Sequence, residues 1–196
     1  MLSIMHMELG NKIYFYNYII YMNFEKKYLK YKTKYLELHK SQVFAICVLK
    51  SDKVNGIIYF DENNLLETKI YGKITGLKPN SKHAIHIHEY GDTSDSCKSC
   101  CSHFNPFNKE HGGRLDENRH VGDLGNIETD QNGEANFSFV DTLVKLRGPF
   151  SVIGRSFIVH EDPDDLGLGD HTDSKITGHA GNRLVCGVIG LRGNCK

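Results

Sequence analysis

In Ala84-Ile85-His86-Ile87-His88 two histidines stand two residues apart. On an extended strand they project from one face while Ile85 and Ile87 pack behind. Two imidazoles on one face can meet one metal ion. Downstream come His103, His111, His120 and Asp123, at intervals of 8, 9 and 3 residues, and His160 ends a later apolar run. Seven nitrogen or oxygen ligands exceed the four that a tetrahedral zinc uses, which points to two metals. Imidazole-rich ligation with one carboxylate and no thiolate suits copper or zinc, not an iron–sulfur cluster or calcium. Any one of these histidines alone would be read as an ordinary hydrogen-bonded or surface side chain. The metal reading rests on their occurring together.

The elements that must position these side chains are strands. Val43–Leu49, Val54–Phe60, Leu65–Thr75, His83–His88, Asp123–Thr129, Gly133–Val140, Phe150–His160 and Arg183–Ile189 are short runs rich in β-branched and aromatic residues, separated by turn residues. Asp130-Gln131-Asn132-Gly133 predicts a hairpin turn, because Asn and Gly tolerate positive φ. No amphipathic helix of useful length follows Ser41. The expected fold is all-β, an eight-stranded antiparallel Greek-key barrel or sandwich. Two segments break the strand pattern: Glu89–Gly122 and Glu161–Asn182 are long, polar and rich in Gly, Asp and His. Loops of that length in a compact domain are usually functional or disordered, so they are expected to build the site.

The rest of the composition excludes whole classes. The chain has 196 residues and no net formal charge, with 24 basic and 24 acidic side chains. No run approaches the ~20 apolar residues of a membrane span. The charge balance argues against a nucleic-acid coat, whose affinity comes from excess Lys and Arg. Residues 1–40 hold seven Lys against three Glu, a surplus of four positive charges, so residues 41–196 carry an equal negative one. All four Met and seven of the ten Tyr precede residue 41, whereas all six Cys and nine of the eleven His follow it. That shift sets a boundary between a 1–40 extension and a 41–196 domain. Phe24, Tyr28, Tyr31, Tyr35 and Leu38 fall on one helical stripe among lysines, a basic amphipathic helix that is either a docking surface or a solvated appendage. Ile13–Met22 has Glu8 upstream and no small-residue cleavage pattern after it, a poor signal peptide. A cytoplasmic location is expected, in a host cell or a virion if the source is viral. Met22, just ahead of the helix, also allows translation to start there.

The stretches HIHEYGD (86–92), HFNPFNKEHGG (103–113), RHVGDLGN (119–126), VHEDPDDLG (159–167) and AGNRLVCGVIG (180–190) resemble the copper/zinc superoxide dismutase family over about residues 43–192. The resemblance implies a sandwich architecture and turnover near the diffusion limit. The resemblance implies that His86, His88, His103 and His160 bind copper. It implies that His103, His111, His120 and Asp123 bind zinc, with His103 bridging the two ions as imidazolate. Arg183 would stand at the channel mouth, where a guanidinium can pair with a small anion. Asp164 would accept hydrogen bonds from one histidine of each metal and orient both. The implied reaction takes superoxide to O2 and H2O2, with catalytic roles for Arg183 and His103. A homodimer is implied too, with apolar Gly187–Leu191 as a contact; a copper donor is left unidentified. The segment YLKYKTKYLELHK resembles N-terminal segments of giant DNA virus proteins.

In the family pattern Cys97 and Cys186 form a disulfide that ties the metal loop to the barrel. Cys47 reads as a small buried thiol. Cys100 and Cys101 depart from the pattern, giving C-x-x-C-C ahead of His103; they read as bystander thiols, with a competing disulfide or third metal site as alternatives. Cys195 stands near the terminus. Residues 161–182 carry six acidic side chains against Lys175 alone, so attraction of an anion rests on positive sites such as Arg183 and Lys175. Asp162 and Asp165 read as solvated loop charges. A copper-delivery module on the same scaffold would be expected to lack a copper ligand or Arg183, and all are present. Because every candidate ligand lies after Ser41, removal of residues 1–40 is expected to leave metal content and activity intact. Comparing the 41–196 fragment with the full chain by metal analysis, specific activity and thermal midpoint checks this; a large loss of both activity and midpoint would move the boundary.

Overall fold

The computed structural model describes residues 22–34, 37, 42–63 and 66–193. The chain divides into two units, Met1–Ser41 and Gln42–Lys196. In the first, residues 22–34 form helix α1. Phe24, Tyr28 and Tyr31 share its stripe, yet all three are more than half exposed. The Lys32 ammonium lies 5.8 Å from the Tyr28 ring. Tyr35 and Leu38, the other members of the predicted stripe, lie outside the described residues.

The second unit has eight strands: β1 (Val43–Lys50), β2 (Asn55–Glu62), β3 (Thr68–Thr75), β4 (Lys82–His88), β5 (Asp123–Glu128), β6 (Ala135–Asp141), β7 (Ser156–His160) and β8 (Arg183–Leu191). A four-residue helix, α2 (Ser174–Thr177), sits in the second long loop. All pairings are antiparallel, in the order β5-β4-β7-β8-β1-β2-β3-β6. The edge strands β5 and β6 return into contact, so the sheet curls into a nearly closed barrel with Greek-key crossovers from β3 to β4 and from β6 to β7. Alternation puts Ala45, Cys47 and Leu49 inside while Val48 is exposed. The interior is filled by Ile58, Phe60, Ile70, Ile85, Ile87, Phe157 and Ile189, and Phe60 meets Phe157 edge-on at 6.3 Å between centroids.

Two sequence expectations shift. The turn at Asp130–Gly133 forms, with the Asp130 carboxylate accepting from the amides of Asn132 and Glu134, but it does not join a paired hairpin. Beyond the turn, β5 pairs with β4 and β6 with β3, which places this connection on the barrel seam. Gly133 is required there: its φ is +74°, and a Cβ would sit 2.2 Å from the Leu77 carbonyl oxygen. The run expected to start at Phe150 becomes strand only at Ser156, because Gly154 at φ +81° turns the chain just before it.

Candidate metal centre

Strand β4 is buried from His83 to His88. Ile85 and Ile87 enter the barrel core, while His86 and His88 face the long loops. Those loops are tied to β4 at one point. The Ile87 amide donates to Gly122 O (2.9 Å), the Phe104 amide to Ile87 O (2.8 Å) and the Gly122 amide to Phe104 O (3.0 Å). His103 and Asp123 adjoin this clamp in sequence, so it sets both beside the β4 histidines. Gly122 must lack a side chain, since a Cβ would lie 2.1 Å from Ile87 O.

Four buried histidines, His86, His88, His103 and His160, bring ligand atoms within 4.8 Å of one another. In each, one ring nitrogen is held by the protein. His86 Nε2 meets Asp164 Oδ2 (2.9 Å), His88 Nδ1 meets Cys101 O (2.7 Å), His103 Nδ1 meets Asp123 Oδ1 (2.8 Å) and His160 Nδ1 meets Gly181 O (3.4 Å). The other nitrogens, His86 Nδ1 and the Nε2 atoms of His88, His103 and His160, are buried with no hydrogen-bond partner among the described residues. Orphaned buried polar atoms are costly, and four in one cluster are the signature of ligands aimed at a cation. Burial is the leading cause that pushes His86 and His88 well below the usual imidazole range and His160 down to about 4. Neutral imidazole is the form that binds a metal.

A second cluster gathers on Asp123. Its Oδ1 lies 2.8 Å from His103 Nδ1 and 3.1 Å from His120 Nδ1. His111 Nδ1 stands 3.0 Å from the same oxygen without the alignment of a hydrogen bond. Ligand atoms of His86, His103, His111 and Asp123 also lie within 4.8 Å of one another, so His86 and His103 belong to both groupings. Asp123 Oδ2 accepts from the amides of Gly112 and His120. Burial favours the neutral acid at Asp123, but the hydrogen bonds of His103 and His120 and the close imidazole of His111 overcome it and hold the carboxyl far below the carboxylate range. For His111, burial lowers the basicity; Asp123 and Asp164 outweigh it and raise the ring to about 9.

Asp164 joins the clusters, with Oδ2 on His86 Nε2 at 2.9 Å and Oδ1 on His111 Nε2 at 2.7 Å. A cavity of about 290 Å³ opens from His88, His103 and His160 to Arg183, with Asp162 and His179 on its walls. Arg183 pairs in register with His160 across β7 and β8. Its guanidinium donates from Nη1 to Cys97 O and from Nη2 to Cys101 O, each at 2.6 Å. Cys97 and Cys186 are disulfide-bonded, with Cα atoms 5.6 Å apart, which fastens this loop to β8.

This order of motifs on this barrel is that of a known family, and the copper/zinc superoxide dismutase model matches residues 54–189. The chain belongs to the copper/zinc superoxide dismutase family. It is 54% identical over 148 residues to Cu-Zn superoxide dismutase 5 of Dictyostelium discoideum, covering 75% of this chain and 97% of that one. It is 53% identical over 148 residues to the Cu-Zn superoxide dismutase of Paramecium bursaria Chlorella virus 1, covering 76% and 78%. The Saccharomyces cerevisiae Cu-Zn superoxide dismutase is 51% identical over 151 residues, covering 76% and 98%. Among solved structures, that of the clock protein EA4 aligns with a TM-score of 0.75 at 45% identity, over 76% of this chain and 95% of that one. The two histidine clusters of this superoxide dismutase relative are able to hold copper and zinc.

Several supporting residues escaped the sequence reading. Buried Arg119 pairs with Asp141 at 2.6 Å and donates to His120 O and Asp123 O, pinning the turn that carries His120 and Asp123. Asn126 and Asp164 exchange reciprocal hydrogen bonds, Asn126 Nδ2 to Asp164 O and Asp164 N to Asn126 Oδ1. Both Arg119 and Asn126 stood inside the RHVGDLGN motif, which was the available signal. His83 Nδ1 meets His160 O at 2.9 Å. One reading needs correction. Asp165 is half-buried and accepts from Gly167 N and Ser174 Oγ, so it orders its loop instead of lying in solvent. Lys175 is exposed and does not line the cavity beside Arg183. Cys100 is a free thiol, fully buried beside the disulfide. Cys47 is buried as expected, and burial raises its thiol to about 12.

Because both Asp164 oxygens accept from histidine, Asp164→Asn leaves one ring facing an amide N–H. Metal affinity is expected to fall ~10–100-fold, the usual effect of losing a partner that orients a ligand. Chelator competition on the metal-loaded variant measures this; unchanged affinity would show that Asp164 orients neither histidine.

Proposed function

We propose that the chain disproportionates superoxide, with two superoxide anions and two protons giving O2 and H2O2. Copper is assigned to His86, His88, His103 and His160, and zinc to His103, His111, His120 and Asp123. The observation that carries this reading is the set of four buried, unpartnered imidazole nitrogens at the floor of a cavity that reaches Arg183. Copper, when bound, supplies a one-electron couple, whereas zinc has no redox chemistry.

The chain's own side chains supply the rest. Arg183 presents a positive charge that is already oriented by two carbonyls, so a small anion meets a fixed guanidinium edge. His103 addresses one cluster with Nδ1 and the other with Nε2, and Nε2 can hold a proton at the cavity floor. Asp123 and Asp164 keep the rings in register. The exposed apolar side chains of Val188 and Leu191 on β8 support a homodimer contact over Gly187–Leu191. No helix among the described residues is long and apolar enough to cross a membrane. Cytoplasmic action, and an unidentified copper donor, complete the reading by likeness to the family.

Metal analysis with a superoxide-consumption assay tests the function. His160→Ala is expected to abolish turnover while keeping the fold and zinc; near-normal turnover in a copper-loaded variant would overturn the ligand assignment.

Arg183→Glu and Arg183→Lys both lose the two-carbonyl fork, so the difference between them isolates charge. The Glu variant is expected to turn over ~10-fold or more slowly than the Lys variant at low salt. Equal rates would remove Arg183 from the anion's path.

A further inference from the structure

The buried cluster that holds the disulfide contains one sulfur more than the bridge uses. Cys97, Cys100 and Ile158 pack together, with Cys186 against them. Cys100 is 0% exposed, and its thiol donates to Asp92 O at 3.2 Å. Cys97 caps a 3₁₀ turn over Lys98–Cys100 and has helical backbone angles itself, φ −83° and ψ −3°. Residues three apart eclipse on such a turn, and the rise between them is about 6 Å. That falls within the roughly 4.4–6.8 Å of Cα separation a disulfide spans. Cys101 is different: it is exposed, with φ at +61°, and is not part of the buried cluster.

We infer that Cys100 is an exchange partner of the Cys97–Cys186 disulfide, so that the bridge can migrate within one chain to Cys97–Cys100. The Cys100 thiol gives up its proton and its sulfur attacks Cys97 Sγ. The Cys97–Cys100 bond forms as the Cys97–Cys186 bond breaks, and Cys186 leaves as thiolate and takes up a proton. One disulfide and one thiol are present before and after, so no outside oxidant or reductant enters.

The consequence is local. The native bridge links residues 89 apart and fastens the loop to β8; the migrated one spans a single turn and releases β8. The loop so released carries Cys97 O and Cys101 O, the acceptors that orient Arg183, and Cys101 O also holds His88 Nδ1. Migration therefore acts on the cavity mouth while leaving every sulfur inside the same chain.

The test uses the full chain loaded with copper and zinc, held at pH 8 without added thiol. Samples are quenched in acid, alkylated, cleaved with pepsin and mapped by mass spectrometry, with a synthetic Cys97–Cys100 peptide setting the detection limit. The expected result is a Cys97–Cys100 linkage paired with alkylated Cys186, absent in Cys100→Ala and retained in Cys101→Ser. Absence of that linkage from the wild-type chain overturns the inference, whether or not Cys100→Ala folds. So does its loss in Cys101→Ser, which would assign the exchange to the exposed thiol.

Discussion

Two buried carboxylates, Asp123 and Asp164, hold the site together, and among the described residues neither is neutralised by a lysine or arginine side chain. Asp123 is compensated by His103, His111 and His120, and Asp164 by His86 and His111. A buried carboxylate is tolerated only when its oxygens are saturated with donors. Here the donors are imidazoles and backbone amides, so satisfying the carboxylates also fixes which ring nitrogen of His86 and His103 points inward. That single requirement orders two loops whose own composition, polar and glycine-rich, would not order them.

The barrel contributes a rigid edge against which this network is registered. The three backbone bonds around Ile87 make Phe104 and Gly122 neighbours of β4 although one precedes and the other follows most of the first loop. The absent side chain at Gly122 is what permits the approach. From the other side, Arg119 and Asn126 hold the turn and the second loop, so the site is braced from β4, β5 and both loops at once. Coupled buried polar networks of this kind stand or fall together.

Much of this was legible in the residues. The His-x-His pair on a strand, the His and Asp intervals and the alternation of eight strands follow from periodicities that local sequence expresses directly. What was not legible depends on distant partners. The Asp130–Gly133 turn has hairpin chemistry, but the strands on either side of it are claimed by β4 and β3, a choice made by barrel closure. Nothing local pointed to a role for Arg119, because its partner Asp141 stands on another strand. Cys100 looked incidental because burial beside a disulfide cannot be read from spacing. The Tyr28 stripe is helical as its period implies, yet periodicity alone did not say that it would be exposed.

The inward nitrogens come from β4, from the loop after it and from the end of β7, and β4 and β7 meet only through long-range pairing. The complete set of donors therefore does not exist in the unfolded chain or in any local fragment of it. An ion held by these four nitrogens can select the finished barrel but cannot template its early steps, because the non-local pairing that assembles them is itself the slow, entropically costly part of folding. Metal uptake then stabilises by mass action on the native state and shows itself chiefly in how rarely the barrel opens.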